Sequence, residues 1–559
     1  MAYDIPQFQQ AVQLTGPDEL TLNKQKNVVS PGNHQILCRV EAVGLCFSDL
    51  KLLKQFYAHP RKKPIVSGID TSILDEISSY VPGELPTVPG HETVVRIVEV
   101  GADVEGFKPG ERYLVQTDYR WLPTDGSNAS FGYDFEGGLQ EYVLMDIRII
   151  TSPDGESMLI PASEDVSASA VALVEPWACV ENSYASQERQ SLDMDGQTLI
   201  VSDIELNHEL ISDFFESYGY PEHITIVSSQ EKHHITGAVK AESMQSLGDT
   251  LFDDIIYFGS NPETVESLFP KIATHGLLNL VQCGGKFGRP VMTAVGRVHY
   301  GGIRIIGTEG CDPAASMQTI PVSGEIRPGD RINVVGAGGP MGMMHVIRDI
   351  CQGVEGVSVY AGDLNAERLG ALSKIAAPLA EARGVSFTSY NPKEDDVSGG
   401  FSYTTLMVPV PALVSQAIGS SLDGGIINIF AGIPAQTVAE IDLDAYIAKK
   451  LYFIGTSGSV LEDMKTVLSK VENARQLDTN LSVAAISGLD GAIEGIRAVE
   501  HQLLAGKIIV YPQCKGMELI PLDELGGKIP DVAVHLQDGL WTIEAENELL
   551  AKYSYKKFD

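Results

Sequence analysis

Four side chains, far apart along the chain, make a donor set suited to one metal ion. Cys46 stands in Gly44-Leu45-Cys46-Phe47-Ser48-Asp49, His91 and Glu92 close Pro89-Gly90-His91-Glu92, and Glu175 opens Glu175-Pro176-Trp177-Ala178-Cys179. A thiolate, an imidazole and carboxylates together suit zinc, and a catalytic zinc site keeps one position open for water or substrate. Such an ion polarises an alcohol or carbonyl oxygen as a Lewis acid. Taken singly, a Cys or His in an apolar run reads as core; the combination reads as a metal site. Cys179 is an alternative donor, but its position in a helical pattern four residues past Glu175 favours a buried helical cysteine.

A second constellation speaks of a dinucleotide. The strand-like Arg331–Val335 runs into Gly336-Ala337-Gly338-Gly339-Pro340-Met341-Gly342 and then a helical stretch, Met343–Cys351. Glycines there let the backbone approach a pyrophosphate, and a helix N-terminus supplies amide donors and a positive dipole. The spacing is one residue off the usual fingerprint, read either as G-x-G-x-x-x-G from Gly336 or as A-x-G-x-x-G from Ala337. Asp363 lies at the expected end of the next strand, 27 residues beyond Gly336. A carboxylate there would bond the ribose 2′-hydroxyl and repel a 2′-phosphate, favouring NAD over NADP; the competing role is a helix N-cap.

Two kinds of element must hold these residues. Up to about residue 150, short β-like runs such as Gln35–Val43, Thr93–Val100 and Glu141–Met145 alternate with Gly and Pro turns, which suggests a small barrel or sandwich. From about residue 166 to 480, strands alternate with helices, as in a doubly wound parallel sheet. Within that stretch the chain repeats. GLLNLVQCGG from Gly276 matches GIINIFAGIP from Gly425, a shift of 149; IRIIGTEG from Ile303 matches LYFIGTSG from Leu451, a shift of 148; and DIIYF from Asp254 matches YTTLM from Tyr403, again 149. The initial strands, TLIV from Thr198 and INVV from Ile332, lie 134 apart. Constant register over three segments indicates two tandem Rossmann-like units. In the first, the turn is Ser202-Asp203-Ile204-Glu205-Leu206, with no glycine and two carboxylates where a diphosphate would lie. That unit is expected to serve a structural or interface role.

Composition narrows the partners. Lys and Arg total 40 against 74 Asp and Glu, a formal charge of -34, so neither nucleic acid nor an anionic membrane is an expected partner. No apolar run approaches a bilayer span, MAYDIPQFQQ lacks an export pattern, and seven scattered cysteines form no CxxC; the expected compartment is the cytoplasm.

On GLCFSDL, PGHE followed by TVVRIVEVG, FKPGERY, EGGLQEYV, VEPWACV, the glycine turn and the terminal IEGIRAV…GKIIVYP, the chain resembles the zinc-dependent medium-chain dehydrogenases, most of all the sorbitol/threonine dehydrogenase branch. The resemblance implies an α/β protein with a GroES-like β-barrel catalytic domain. It makes Cys46, His91, Glu92 and Glu175 the zinc shell, Ser48 the hydroxyl that relays the alcohol proton, and Asp49 the carboxylate that orients the histidine. Two departures stand out. Cys46 and His91 are 45 residues apart because KQFYAHPRKKPIVSGIDTSILDEISSY is inserted, and the four-cysteine structural-zinc lobe is replaced by TDYRWLPTDGSNASFGYDF. One catalytic zinc, and no structural zinc, is therefore expected.

The expected organisation is a catalytic domain over 1–190, a degenerate Rossmann-like repeat over 191–311, an NAD(P)-binding Rossmann domain over 312–480, and a return to the catalytic domain with an extension over 481–559. The expected activity is hydride transfer between an alcohol (a polyol, sugar or sugar phosphate) and NAD(P). Alternatives are a redox-neutral epimerase or lyase with tightly bound NAD and zinc, and a scaffold that kept the fold. A homo-oligomer is expected. His59, Arg61, Lys62 and Lys63 can bind a phosphate or carboxylate, although a solvated loop is the simpler expectation. Tyr119, Arg120 and Trp121 either stack on a sugar or fill the lobe, and His233-His234 is expected at the surface.

Overall fold

The computed structural model describes residues 4–230, 235–456, 458–473 and 476–553; the pair His233-His234 lies outside the described residues. The chain divides into one unit made of residues 1–178 and 459–559 and another made of 179–458. The second boundary falls at Ser459, not at the expected 481. The helix Leu461–Glu472 already belongs to the first unit: Ser163 donates its backbone N–H to Glu472, and Lys465 pairs with Glu156 at 3.1 Å.

The first unit is built on an eight-stranded sheet that joins both ends of the chain. Its central strand, Gln35–Gly44, pairs antiparallel with Glu92–Val100 on one side and, at its end, with Lys507–Val510 on the other. Alternating apolar residues such as Ile36, Cys38 and Val40 turn inward to a core shared with Val95, Ile97 and Val143, as expected when one sheet face is covered.

The second unit contains two six-stranded sheets, each entirely parallel. In chain order the first sheet's strands are Gln197–Ser202, His223–Ser228, Ala238–Lys240, Phe252–Phe258, Ile272–Val281 and Arg304–Thr308. Those of the second are Arg331–Val335, Ser358–Gly362, Ser386–Tyr390, Phe401–Leu406, Ser421–Ile429 and Tyr452–Ile454. Both follow the spatial order 3-2-1-4-5-6, the doubly wound arrangement with its ligand crevice where the order reverses. The central strands are mostly apolar and buried on both faces, as at Leu199–Val201 and at Ile426, Ile427 and Ile429, as parallel strands covered by helices must be. One continuous apolar core, from Leu199 to Phe453, serves both sheets.

Candidate metal centre and nucleotide turn

Cys46 caps the N-terminus of the helix Phe47–Gln55, and the same first turn carries Ser48 and Asp49. Asp49 is buried and works in two directions. One carboxylate oxygen accepts from the Cys46 backbone N–H at 3.0 Å, and the other lies 3.1 Å from His91 Nδ1. With Nδ1 so engaged, His91 presents Nε2 toward Ser48 Oγ at 3.2 Å, and Ser48 Oγ lies 3.0 Å from Cys46 Sγ. Burial alone would depress the His91 pKa; the Asp49 carboxylate and its other neighbours override this and hold it well above its ordinary value.

His91 and Glu92 arrive at the start of the strand that pairs with Gln35–Gly44, and Glu92 falls directly opposite Gly44. A Cβ at Gly44 would stand 2.0 Å from Glu92 Oε2, so only glycine lets that carboxylate lie across the strand. Glu92 is fully buried; Oε1 pairs with Lys507 Nζ at 2.5 Å, while Oε2 has no hydrogen-bond partner among the described residues. Donor atoms of Cys46, His91 and Glu92 all lie within 4.8 Å of one another. A buried carboxylate oxygen left unpartnered is costly unless something binds it, and a thiol, an imidazole and a carboxylate converging around it fit a zinc ion in donor chemistry and number.

Glu175, on the helix Val174–Ala185, is 9% exposed. Burial pushes its carboxyl up to about 7, with His91, Glu92 and Lys507 among the charges it feels. It therefore stands in the field of the cluster but is not one of the three converging donors. Cys179, one turn further on, is partly buried.

The basic run of the inserted segment packs toward this neighbourhood, while much of the remaining insert is exposed. Lys62 is completely buried with Nζ donating to the Leu85 carbonyl, Arg61 pairs with Asp118 at 2.7 Å, and Lys63 with Asp125 at 2.6 Å. Tyr133 links the insert to the cluster: its ring centroid lies 5.1 Å from that of His59 and 5.8 Å from that of His91. In the lobe that replaces the cysteines, Tyr119 is 1% exposed and packs edge-on to Phe135, so it fills space and cannot stack on a sugar. Arg120 donates to the Ser459 carbonyl.

In the second unit, Gly336 has φ +86°, and the helix Pro340–Cys351 starts from Gly339 with no side chain capping its amides. No atom stands within 4 Å of where a Cβ on Gly339 would lie, whereas one on Gly342 would come within 2.4 Å of the Gly336 carbonyl oxygen. Open space at Gly339 beside unspoken-for helix amides is a cradle that fits a phosphate. Asp363 touches this turn: one carboxylate oxygen accepts from Gly338 N–H at 2.9 Å and the other from Asn365 N–H. The N-cap of the next helix is Asn365, not Asp363.

The first sheet's turn is different in each respect. Asn207 caps its helix, His208–Tyr218, by accepting from Glu209 and Leu210 N–H. Tyr257 donates its hydroxyl to Asp203 and accepts from Asn261 N–H.

Lys507 is the site residue that the sequence reading passed over. It lies in the quoted GKIIVYP, but nothing along the chain ties it to Glu92, 415 residues away.

Sheets, turn and donor cluster together define an α/β protein with a candidate metal centre. Residues 32–154 match the alcohol dehydrogenase GroES-like domain. It is 26% identical over 249 residues to the Escherichia coli K12 protein named uncharacterized protein YggP, covering 41% of this chain and 58% of that one. It is 32% identical over 133 residues to an NAD-dependent alcohol dehydrogenase of Sulfolobus acidocaldarius, covering 21% and 33%. The chain thus matches less than two thirds of the length of either relative. The 2R,3R-butanediol dehydrogenase from Bacillus subtilis aligns over 90% of this chain and 99% of its own at 17% identity, with a TM-score of 0.49. Among the described residues, no helix is long and apolar enough to cross a membrane.

Proposed function

We propose that this protein is a zinc-dependent oxidoreductase that transfers hydride between an alcohol, of the polyol, sugar or sugar-phosphate class, and NAD(P), with NAD the preferred form. The observation that carries the reading is the convergence of Cys46, His91 and Glu92 donors within 4.8 Å around a buried, unpartnered carboxylate oxygen. Zinc bound there supplies Lewis acidity to a substrate oxygen. Glu175 is proposed as the fourth member of the shell.

The chain's own residues do the rest. Asp49 fixes the His91 tautomer by accepting a hydrogen bond from Nδ1–H, which leaves Nε2 to face a ligand. Ser48 Oγ, between Cys46 Sγ and His91 Nε2, is placed to accept the proton an alcohol releases and pass it on. Lys507 balances one oxygen of Glu92 and holds the other in a single orientation. In the second unit, Gly336, Gly338, Gly339, Pro340, Met341 and Gly342 form the turn for the cofactor's pyrophosphate. Asp363, already bonded to that turn, is placed to accept from a ribose hydroxyl. The substrate is a small molecule, and the oligomer and cytoplasmic compartment expected from the sequence remain part of this reading.

The test is metal analysis of the purified chain together with a polyol and sugar-phosphate panel followed at the NADH absorbance, with Cys46→Ser alongside. One zinc per chain is expected, with turnover lost in the variant. Turnover that survives Cys46→Ser would remove the metal from the mechanism.

A further inference from the structure

The repeat in the second unit has a geometric counterpart that neither its spacing nor its turn chemistry contains. Between the fifth and sixth strands of each sheet lies a short extra strand: Val291–Thr293 in the first and Ala439–Ile441 in the second. These two pair with each other antiparallel, Val291 opposite Ile441, Met292 opposite Glu440 and Thr293 opposite Ala439. With the 148-residue shift of the last repeated strands, Met292 corresponds to Glu440, Val291 to Ala439 and Thr293 to Ile441. Met292 therefore faces its own counterpart, and its two neighbours face each other's counterparts. That is the pattern of a two-fold axis passing between the strands.

Contacts away from this ribbon obey the same exchange. A Cβ on Gly307, in the last strand of the first sheet, would stand 2.7 Å from Ile447 Cδ1. Its counterpart Gly455 would place a Cβ 2.9 Å from the Cα of His299, and His299 is the counterpart of Ile447. Both positions require glycine because a helix of the opposite copy crosses there. Asp444 accepts from the N–H groups of Phe287 and Gly288, both at 3.0 Å. Its counterpart Gly296 lies against Pro434 and donates to the Thr437 carbonyl, in the segment corresponding to 286–289. Arg304 and Tyr452, counterparts again, converge on one carboxylate: Arg304 Nε lies 2.5 Å and Tyr452 OH 2.7 Å from Glu188 Oε2.

We infer that the two sheets form an isologous dimer inside one chain, in which the first copy is the permanent partner of the second. The face that a symmetric homodimer of such sheets would present to another subunit is occupied in cis. Any homo-oligomer must use a different surface. Joining the halves covalently removes most of the translational and rotational cost of association, and it makes the joint independent of concentration. This also explains why a copy without a phosphate turn keeps a complete six-stranded sheet: its edge and helices are half of a shared core. The inference stands apart from the proposed chemistry, and its test reads no activity.

The test is the pair Met292→Cys with Glu440→Cys. Directly opposed residues of an antiparallel ribbon have Cβ atoms about 4.5–5.5 Å apart, within reach of a disulfide after small adjustment. Oxidation with copper phenanthroline should give a 292–440 linked peptide on a species of single-chain mass, 60.3 kDa, at every protein concentration. Each single-cysteine variant should give no such peptide. A linkage joining two chains at twice that mass, or two free thiols after oxidation, would overturn the inference. Should the double variant not fold, hydrogen exchange on the wild-type chain decides. Protection of 291–293 and 439–441 that persists on serial dilution supports the intrachain joint, and protection lost on dilution refutes it.

Discussion

The two parallel sheets of the second unit share strand order, repeated segments and one core, yet their first turns have opposite chemistry. At Arg331–Val335 the chain leaves through Gly336 with positive φ and enters a helix whose first amides have no side-chain cap. At Gln197–Ser202 it leaves through Asp203 and enters a helix whose first amides are already satisfied by Asn207. A helix N-terminus attracts an anion only through unsatisfied donors and the field they carry. The second sheet's turn leaves those amides without a side-chain cap, whereas in the first sheet Asn207 takes them and Tyr257 donates its hydroxyl to Asp203 in the turn itself. One strand order thus carries an uncapped turn and a capped one, and a handful of residues decides between them.

The sharpest way to break this comparison is Gly336→Val. Its Cβ would stand 2.5 Å from Val408 in a backbone conformation that valine rarely adopts, and NADH affinity is expected to fall about 100-fold, near 2.7 kcal/mol. Tyr257→Phe, the matching change at the capped turn, should leave affinity unaltered, and calorimetric titration of the wild type should count one nucleotide per chain. Two nucleotides per chain would abolish the distinction.

The helices behind the two turns differ as well. The helix Pro340–Cys351 buries His345, Arg348 and Asp349, where His208–Tyr218 buries Ile211, Phe214 and Phe215. Burial pushes the Asp349 carboxyl up to about 8. The native state then retains a proton that the unfolded chain releases above about pH 4, so wild-type stability declines as pH rises toward 8. Asp349→Asn mimics the neutral acid and should gain on wild type across that window, by at most about 1.4 kcal/mol per pH unit. Thermal melts from pH 4 to 8 measure the gap, and a gap that stays flat would mean the group is ionised throughout.

Smaller effects refine the contrast. Asp363→Ala should weaken NADH binding about tenfold, near 1.4 kcal/mol, and narrow the preference over NADPH; unchanged discrimination between the two would remove Asp363 from ribose recognition. Asn207→Ala should cost about 1 kcal/mol of stability through the lost cap, with nucleotide affinity as before. A gain in affinity there would show that the cap alone keeps the first turn from binding.

Much of the metal cluster was legible because its residues sit in short turn-bounded motifs: Cys46, Ser48 and Asp49 share one helical turn, and His91 and Glu92 begin one strand. Lys507 was not, since its contact with Glu92 exists only through the pairing of Lys507–Val510 with the end of Gln35–Gly44. The inserted HPRKKP misled in the opposite direction. Three consecutive basic residues suggest solvent, yet Lys62 is buried because a carbonyl at Leu85 receives its ammonium and its stem packs inside. Asp363 does not hold the cap of the next helix, which belongs to Asn365; its carboxylate accepts from Gly338 N–H instead.

Local features, then, were the sequence's to decide: which turn is rich in glycine, which short motifs carry donor side chains, and which segments recur at a constant shift. These depend on neighbours a few residues apart, where backbone geometry is nearly fixed by residue type. The partner of Glu92, the burial of Lys62 and the two-fold joint through Met292 and Glu440 depend on pairings across many residues. Register and packing choose those, and a linear repeat is silent about whether its copies stand side by side or face to face.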